Sequence, residues 1–104
     1  MSLPAVSEQQ LEAARARAAA ARKERAEVKQ ALRTGRTTLA EVLDRRDDEV
    51  IAQLKVVDLL KCLPRVGNKR ALAVMERVDI ADNRRLRGLG RHQIARLKEE
   101  FSGV

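Results

Sequence analysis

Leu63-Pro64-Arg65-Val66-Gly67-Asn68-Lys69-Arg70 is the stretch that decides how this chain folds. An apolar run from Val56 to Leu63 stops at a proline, which disfavours helical backbone in the residue before it. A tight turn then reaches Gly67, and a new helix opens at Asn68 with two cations in its first turn. The unit reads as helix, glycine turn, helix. Such a turn aims unpaired backbone N–H groups, a helix N-terminus and positive side chains at one anion.

The pattern occurs twice. Leu63-x-x-Val66-Gly67-x-x-x-Ala71 matches Leu86-x-x-Leu89-Gly90-x-x-x-Ile94. In each, glycine offers backbone freedom where a side chain would obstruct or strain the turn. The helix that follows supplies unpaired N–H donors from its first turn. A plain glycine stop between packed helices leaves the same pattern, so the flanking residues carry the functional reading. Arg65, Asn68, Lys69 and Arg70 surround Gly67; Arg84, Arg85, Arg87, Gly88 and Arg91 surround Gly90. Pro64 either ends its helix or presses an exposed ring against a sugar.

Toward the N-terminus, Ser7 and Gln10 form an S-x-x-Q capping box, with Val6 and Leu11 placed as a hydrophobic staple. Helix formers run from Glu8 to Arg33 without glycine or proline, and Gly35 stops them. At ~1.5 Å per residue this helix is about 40 Å long. Its seam of Leu11, Ala14, Ala18, Ala21, Val28 and Leu32 is mostly alanine, so only the end around Val28 and Leu32 is expected in a core. Arg15, Arg22, Lys29 and Arg33 align beside that seam. They form either a solvated face or an arm laid on a phosphate backbone, a candidate second contact.

Between arm and turns, Thr38-x-x-Glu41 opens a helix with Leu39, Val42 and Leu43 inward. Asp47-Asp48-Glu49 caps a turn carrying Val50, Ile51 and Leu54. After the first glycine turn, Leu72, Met75 and Val78 are expected inward; Arg84 to Arg87 make a short turn; the last helix, from about Arg91 to Glu100, buries Ile94, Leu97 and Phe101. Every segment has helical spacing and none alternates with period two. The fold is expected to be all-α: a long N-terminal arm (1–35), then a compact bundle of short helices (36–104), together one folding unit.

Composition narrows the partner. The 104 residues suit one domain. Lys and Arg number 22 against 15 acids, for a net charge of +7, and the pI is near 10.5. The excess suits a polyanion. It is uneven: the segment from Asn83 to Lys98 contains no carboxylate. Phe101 is the only aromatic residue, which removes the base-stacking platform that single-strand binders use. Double-stranded nucleic acid is favoured, because backbone contact needs no rings.

Other chemistries lack their residues. One Cys and one His leave no nucleophile–base pair and no four-ligand zinc site. There is no Walker-type loop, and Gly88-x-Gly90 lacks a third glycine and a preceding strand. No catalytic residue, metal, cofactor or small-molecule substrate is expected. Cys62 reads as core filler, and the lack of a disulfide framework fits a reducing interior. No apolar stretch approaches the ~20 residues of a membrane span. Met1 to Val6 lacks the basic start and apolar core of a secretion leader. A cytoplasmic protein, monomeric in solution, is the expectation.

These residues resemble a known family. Ala21-Arg22-Lys23-Glu24-Arg25-Ala26-Glu27-Val28-Lys29, Leu59-Leu60-x-x-Leu63-Pro64-x-Val66-Gly67, Met75-Glu76, and Arg84-Arg85-Leu86-Arg87-Gly88-Leu89-Gly90 are similar to segments of the actinobacterial integration host factors. The likeness covers almost the whole chain. It implies a long helix followed by a helix–two-turns–helix module. It also implies a nucleoid-associated protein that binds duplex DNA and affects its shape, chromosome compaction, transcription and phage integration. Family backbone contacts would fall on Arg65, Gly67, Lys69, Arg70, Arg84, Arg85 and Arg87. Asn68 stands where relatives carry lysine, and is a good N-cap residue. Two other readings stay open: a ribosome-associated structural protein using the same module on RNA, and an adaptor whose long helix docks on a partner protein.

Overall fold

The computed structural model describes residues 7–102, in which no residue lies in a strand; one isolated antiparallel bridge joins Lys55 to Arg85. Six α-helices follow in order: α1 (Glu8–Thr34), α2 (Leu39–Asp44), α3 (Glu49–Ala52), α4 (Val56–Cys62), α5 (Asn68–Val78) and α6 (Arg91–Glu100). A 3₁₀ turn, Leu86–Gly88, sits between the last two. The all-α expectation holds. The proposed Val6–Leu11 staple and the reading of Met1 to Val6 as no leader fall outside the described residues.

α1 begins and ends where its sequence signals lie. The Ser7 hydroxyl accepts from the Gln10 N–H at 3.1 Å, and the Gln10 side chain accepts from the Ser7 N–H at 3.0 Å. Gly35, at φ 77°, ends the helix in the left-handed conformation. Its neighbour Arg36 donates back to Ala31 and Gly35 itself to Leu32, closing the terminal carbonyls as a Schellman motif. At α2 the capping box is only half made. Thr38 accepts from the Glu41 N–H, but the Glu41 carboxylate takes the Thr38 hydroxyl instead of its N–H.

One hydrophobic core runs through the body, and α1 enters it only through Val28 and Leu32. α4 is central: it packs on α1 and on α5, while α6 packs on α5 and α2. Leu43, Ile51, Leu59, Leu60, Leu86 and Leu97 are fully enclosed. Burying each such side chain contributes about 1.5–3 kcal/mol. Cys62 is buried as filler. The inward stripe of α5 is Ala71, Val74, Met75 and Val78. Leu72, expected inward, is exposed; the stripe is centred one residue earlier, and Leu72 lies about 100° round the helix from Ala71.

From Ser7 to Ala20 every residue of α1 is exposed. This half projects as an arm and stretches the molecule to 57 × 27 × 23 Å. The radius of gyration, 16.6 Å, exceeds the ~13 Å of a compact chain this long.

Candidate nucleic-acid interface

The first glycine turn is fixed by what it buries. Leu63 leaves α4 in extended conformation, as a residue before proline must. Leu63 and Val66 are both buried, and the Val66 N–H donates to the Leu63 carbonyl at 3.1 Å. The unusual backbone is not at the glycine. Arg65 takes φ 66°, the left-handed region, whereas Gly67 is extended at φ −90°, ψ −179°. Strain therefore sits on Arg65, and Gly67 adopts angles open to any residue.

α5 opens at Asn68 as expected, but Gly67, not Asn68, is its N-cap, and the helix has no side-chain cap. The first intrahelical bond runs from the Ala71 N–H to the Gly67 carbonyl at 3.0 Å. The N–H groups of Asn68, Lys69 and Arg70 thus face outward without protein acceptors. A Cβ added at Gly67 would meet nothing within 4 Å, so the fold itself does not demand glycine there. What glycine provides is an unobstructed approach to the three donors. Arg65, Lys69 and Arg70 are all exposed around them. The Arg70 guanidinium lies 5.9 Å from the centre of the Phe101 ring, which steadies it at the helix start.

The second turn shares the sequence pattern but is built differently. The Val56 N–H donates to the Arg84 carbonyl at 3.0 Å and the Leu86 N–H to the Leu54 carbonyl at 2.9 Å. These bonds hold Arg84 and Arg85 against the start of α4, ahead of the 3₁₀ turn that opens at buried Leu86. Arg84 lies across Gly88: its Nη1 donates to the Gly88 carbonyl at 3.3 Å, and its Cδ is 2.8 Å from where a Gly88 Cβ would stand. A side chain at position 88 would push the Arg84 side chain off this path. Arg85 turns its Nη1 onto the Gln53 carbonyl at 2.7 Å, while Arg87 and Arg91 are exposed with no partner among the described residues.

Gly90 caps α6, again without a side chain. Its N–H is taken by Gln93 Oε1 at 2.9 Å. The N–H groups of Arg91, His92 and Gln93 remain without protein acceptors. Gln93 also donates through Nε2 to the Asp79 carbonyl, just past the end of α5, at 2.9 Å. Arg70, at the beginning of α5, meets Phe101 at the end of α6. α5 and α6 therefore run antiparallel, and the two glycine corners lie toward opposite ends of α5. They form two separate donor sites.

The stripe on α1 is divided. Arg15, Arg22 and Arg33 are exposed, and Lys29 is half-buried. Lys29 and Arg25 share a cleft with Lys55 and Arg85, opposed there by Asp58 alone. The lower part of α1 thus adjoins the second turn, while Arg15 stands away on the arm. Lys55, Arg25 and Gln93 escaped the sequence reading. Gln93 alone had a visible signal, three residues after its N-cap like Gln10 after Ser7. Arg77 pairs across to Glu100 at 2.9 Å instead of with its chain neighbours. Among the described residues, no group of His, Cys, Asp or Glu is arranged to hold a metal, and no helix is long and apolar enough to cross a membrane.

Comparison with known proteins agrees with this architecture. The family described as the S13-like H2TH domain matches residues 32–101. The integration host factor of Streptomyces coelicolor is 48% identical, aligned over 100% of this chain and 98% of its own. That of Mycobacterium tuberculosis is 47% identical over 100% of both chains. A solved structure of sIHF bound to an 8-bp palindromic DNA is similar with a TM-score of 0.80 and 49% identity, over 83% of this chain and 98% of that one. With likeness of this extent in sequence and in fold, the chain belongs to the actinobacterial integration host factor family.

Proposed function

We infer that this protein binds duplex DNA through the phosphate backbone, as a nucleoid-associated protein that bends or reshapes DNA and thereby influences chromosome compaction, transcription and phage integration. One observation carries the reading: three unpaired N–H donors open α5 beneath a bare Gly67, with Arg65, Lys69 and Arg70 around them. A phosphate satisfies donors, dipole and charge together. Arg84, Arg85, Arg87, Gly88, Gly90 and Arg91 hold a second point on the backbone. Two grips toward opposite ends of α5 favour one curvature of the duplex, with preference among sequences set by deformability. Arg15, Arg22, Lys29 and Arg33 supply the further contact from the arm. The solved relative that holds DNA supports this reading.

The RNA alternative is not favoured, because the full-length relatives are integration host factors and the solved one holds DNA. The protein works in the nucleoid, with 1–35 as arm and 36–104 as DNA-binding core of one folding unit. Salt titration tests the proposal. For about five neutralised phosphates, log K falls against log salt with a slope near −4 to −5. A flat response rules the reading out.

A further inference from the structure

Two large apolar side chains stand exposed among the described residues, Leu11 at 42% and Leu72 at 37%. Their surroundings carry opposite charge. Leu72 lies in an open groove with Ile80 and Ala81, lined also by Glu76, Asp79 and Asp82. None of these three carboxylates forms an ion pair among the described residues. In a chain of net charge +7, unpaired acid around a bare leucine does not serve DNA, which it repels.

Leu11 sits on the projecting arm. Helical geometry brings Arg15, Ala18 and Arg22 into line with it, and neither arginine is ion-paired. The spacing on the two surfaces matches. Arg15 follows Leu11 by the same helical step that separates Glu76 from Leu72. Laid side by side and parallel, leucine meets leucine and Arg15 falls beside Glu76; in a docked arm Arg15 and Arg22 face carboxylates, and the arm's contact with DNA is left to Lys29 and Arg33. Arg22 then reaches beyond the end of α5, where Asp79 and Asp82 lie.

The chain carries both halves of this fit, so we propose that a second copy is the occupant: the arm of one molecule docks in the Leu72 groove of the next, joining copies head to tail. The contact is heterologous, so each docked copy leaves a free arm and a free groove at the ends, and the array stays open. A contact of two leucines and a few charges is small beside the ~1,000 Å² of a stable interface, which leaves monomers in dilute solution. Neighbours on one DNA molecule meet at an effective concentration of order millimolar, and there the contact forms. The proposal rests on the DNA reading only for the place of assembly.

Variants of the full chain that each add one exposed cysteine test it, since the native Cys62 is buried. Leu11→Cys and Leu72→Cys, mixed on a long duplex under mild oxidation, are expected to give a mixed disulfide. The Leu11→Cys/Leu72→Cys double variant is expected to give a ladder. Bonds only within each single variant, or none at saturation, overturn the proposal. Leu72→Arg is expected to bring the Hill coefficient on the long duplex down to one, with affinity for a duplex holding one molecule unchanged. A wild type that binds the long duplex without cooperativity, or a Leu72→Arg variant that keeps it, also overturns it. Loss of wild-type binding to the short duplex would instead strike the DNA reading itself.

Discussion

Gln93 reaches from the first turn of α6 to the backbone carbonyl of Asp79, 2.9 Å away, while its other amide atom holds the Gly90 N–H. One side chain thereby sets the second glycine corner against the far end of α5. Gln93→Ala removes both bonds. It is expected to cost ~1 kcal/mol per lost bond at most and to weaken DNA binding a few-fold by loosening that corner. Thermal unfolding and titration of a short duplex check this; unchanged affinity with lowered stability would confine Gln93 to the fold.

Gly67→Ala separates fold from function. The backbone angles suit alanine and no atom obstructs a methyl group. Stability is expected to stay level or rise by ~0.4–1 kcal/mol, because the unfolded chain loses freedom. DNA affinity is expected to fall about tenfold, ~1.4 kcal/mol, as the methyl shields the N–H donors. Full affinity in this variant would remove the first corner from the interface.

Arg65 combines a cation with left-handed backbone at φ 66°. For an ordinary side chain that conformation costs roughly 1–2 kcal/mol, and asparagine tolerates it better. Arg65→Asn is expected to be as stable as the wild type or up to ~1 kcal/mol more so, while binding weakens and the salt slope shrinks by about 0.9. An unchanged slope would show that Arg65 contacts no phosphate.

Asp79 is the other non-glycine residue in left-handed backbone among the described residues, at φ 65°, where α5 ends in a Schellman motif with Ile80 donating to Met75 at 2.8 Å. Glycine is the usual residue there, and a carboxylate opposes the helix dipole. Asp79→Gly is expected to stabilise by up to ~1 kcal/mol, and the Gln93 bond survives because it uses the backbone. Denaturant unfolding measures the gain; affinity for a short duplex should not move.

Glu24 and Asp48 face each other where α1 crosses the α2–α3 corner. Partial burial, then the charge and hydrogen bond of Asp48, raise Glu24 above its usual 4.5 against the pull of Arg45. Asp48 is lowered from 3.8, chiefly by the Ile51 N–H, against partial burial, with the Val50 N–H adding to the lowering. The signs differ. Ionised Glu24 burdens the fold at neutral pH, and that burden lifts as pH falls through its raised value to below 4.5. Asp48 contributes above 3.8, and its contribution is lost as pH drops toward its lowered value. Glu24→Gln is therefore expected to melt higher than the wild type at neutral pH, with the gap closing below pH 4.5. A lower melting point at neutral pH would mean that the Arg45 pair at 3.6 Å outweighs the Asp48 repulsion.

Helix boundaries were legible because short-range signals wrote them: Ser7 with Gln10, Gly35, Pro64, and the apolar spacing of α4 and α6. The all-α class followed from the same signals. Long-range geometry left no such mark. The bonds joining Leu54–Val56 to Arg84–Leu86 pair backbone atoms across some thirty residues, which no local pattern encodes. Leu72 looked inward because leucine usually is, yet the smaller Ala71 and Val74 take the buried face of α5. The matched glycine motifs suggested matched turns. The structure shows one strained at Arg65 and the other shaped by an arginine lying over Gly88.

The exposed half of α1 has a thermal consequence. From Ser7 to Ala20 it is held by its own hydrogen bonds and its end cap, with no core behind it. Helical segments this short are marginal in water without such support. On warming, the tip unwinds before the body melts, so the span over which this protein can touch anything shortens with temperature.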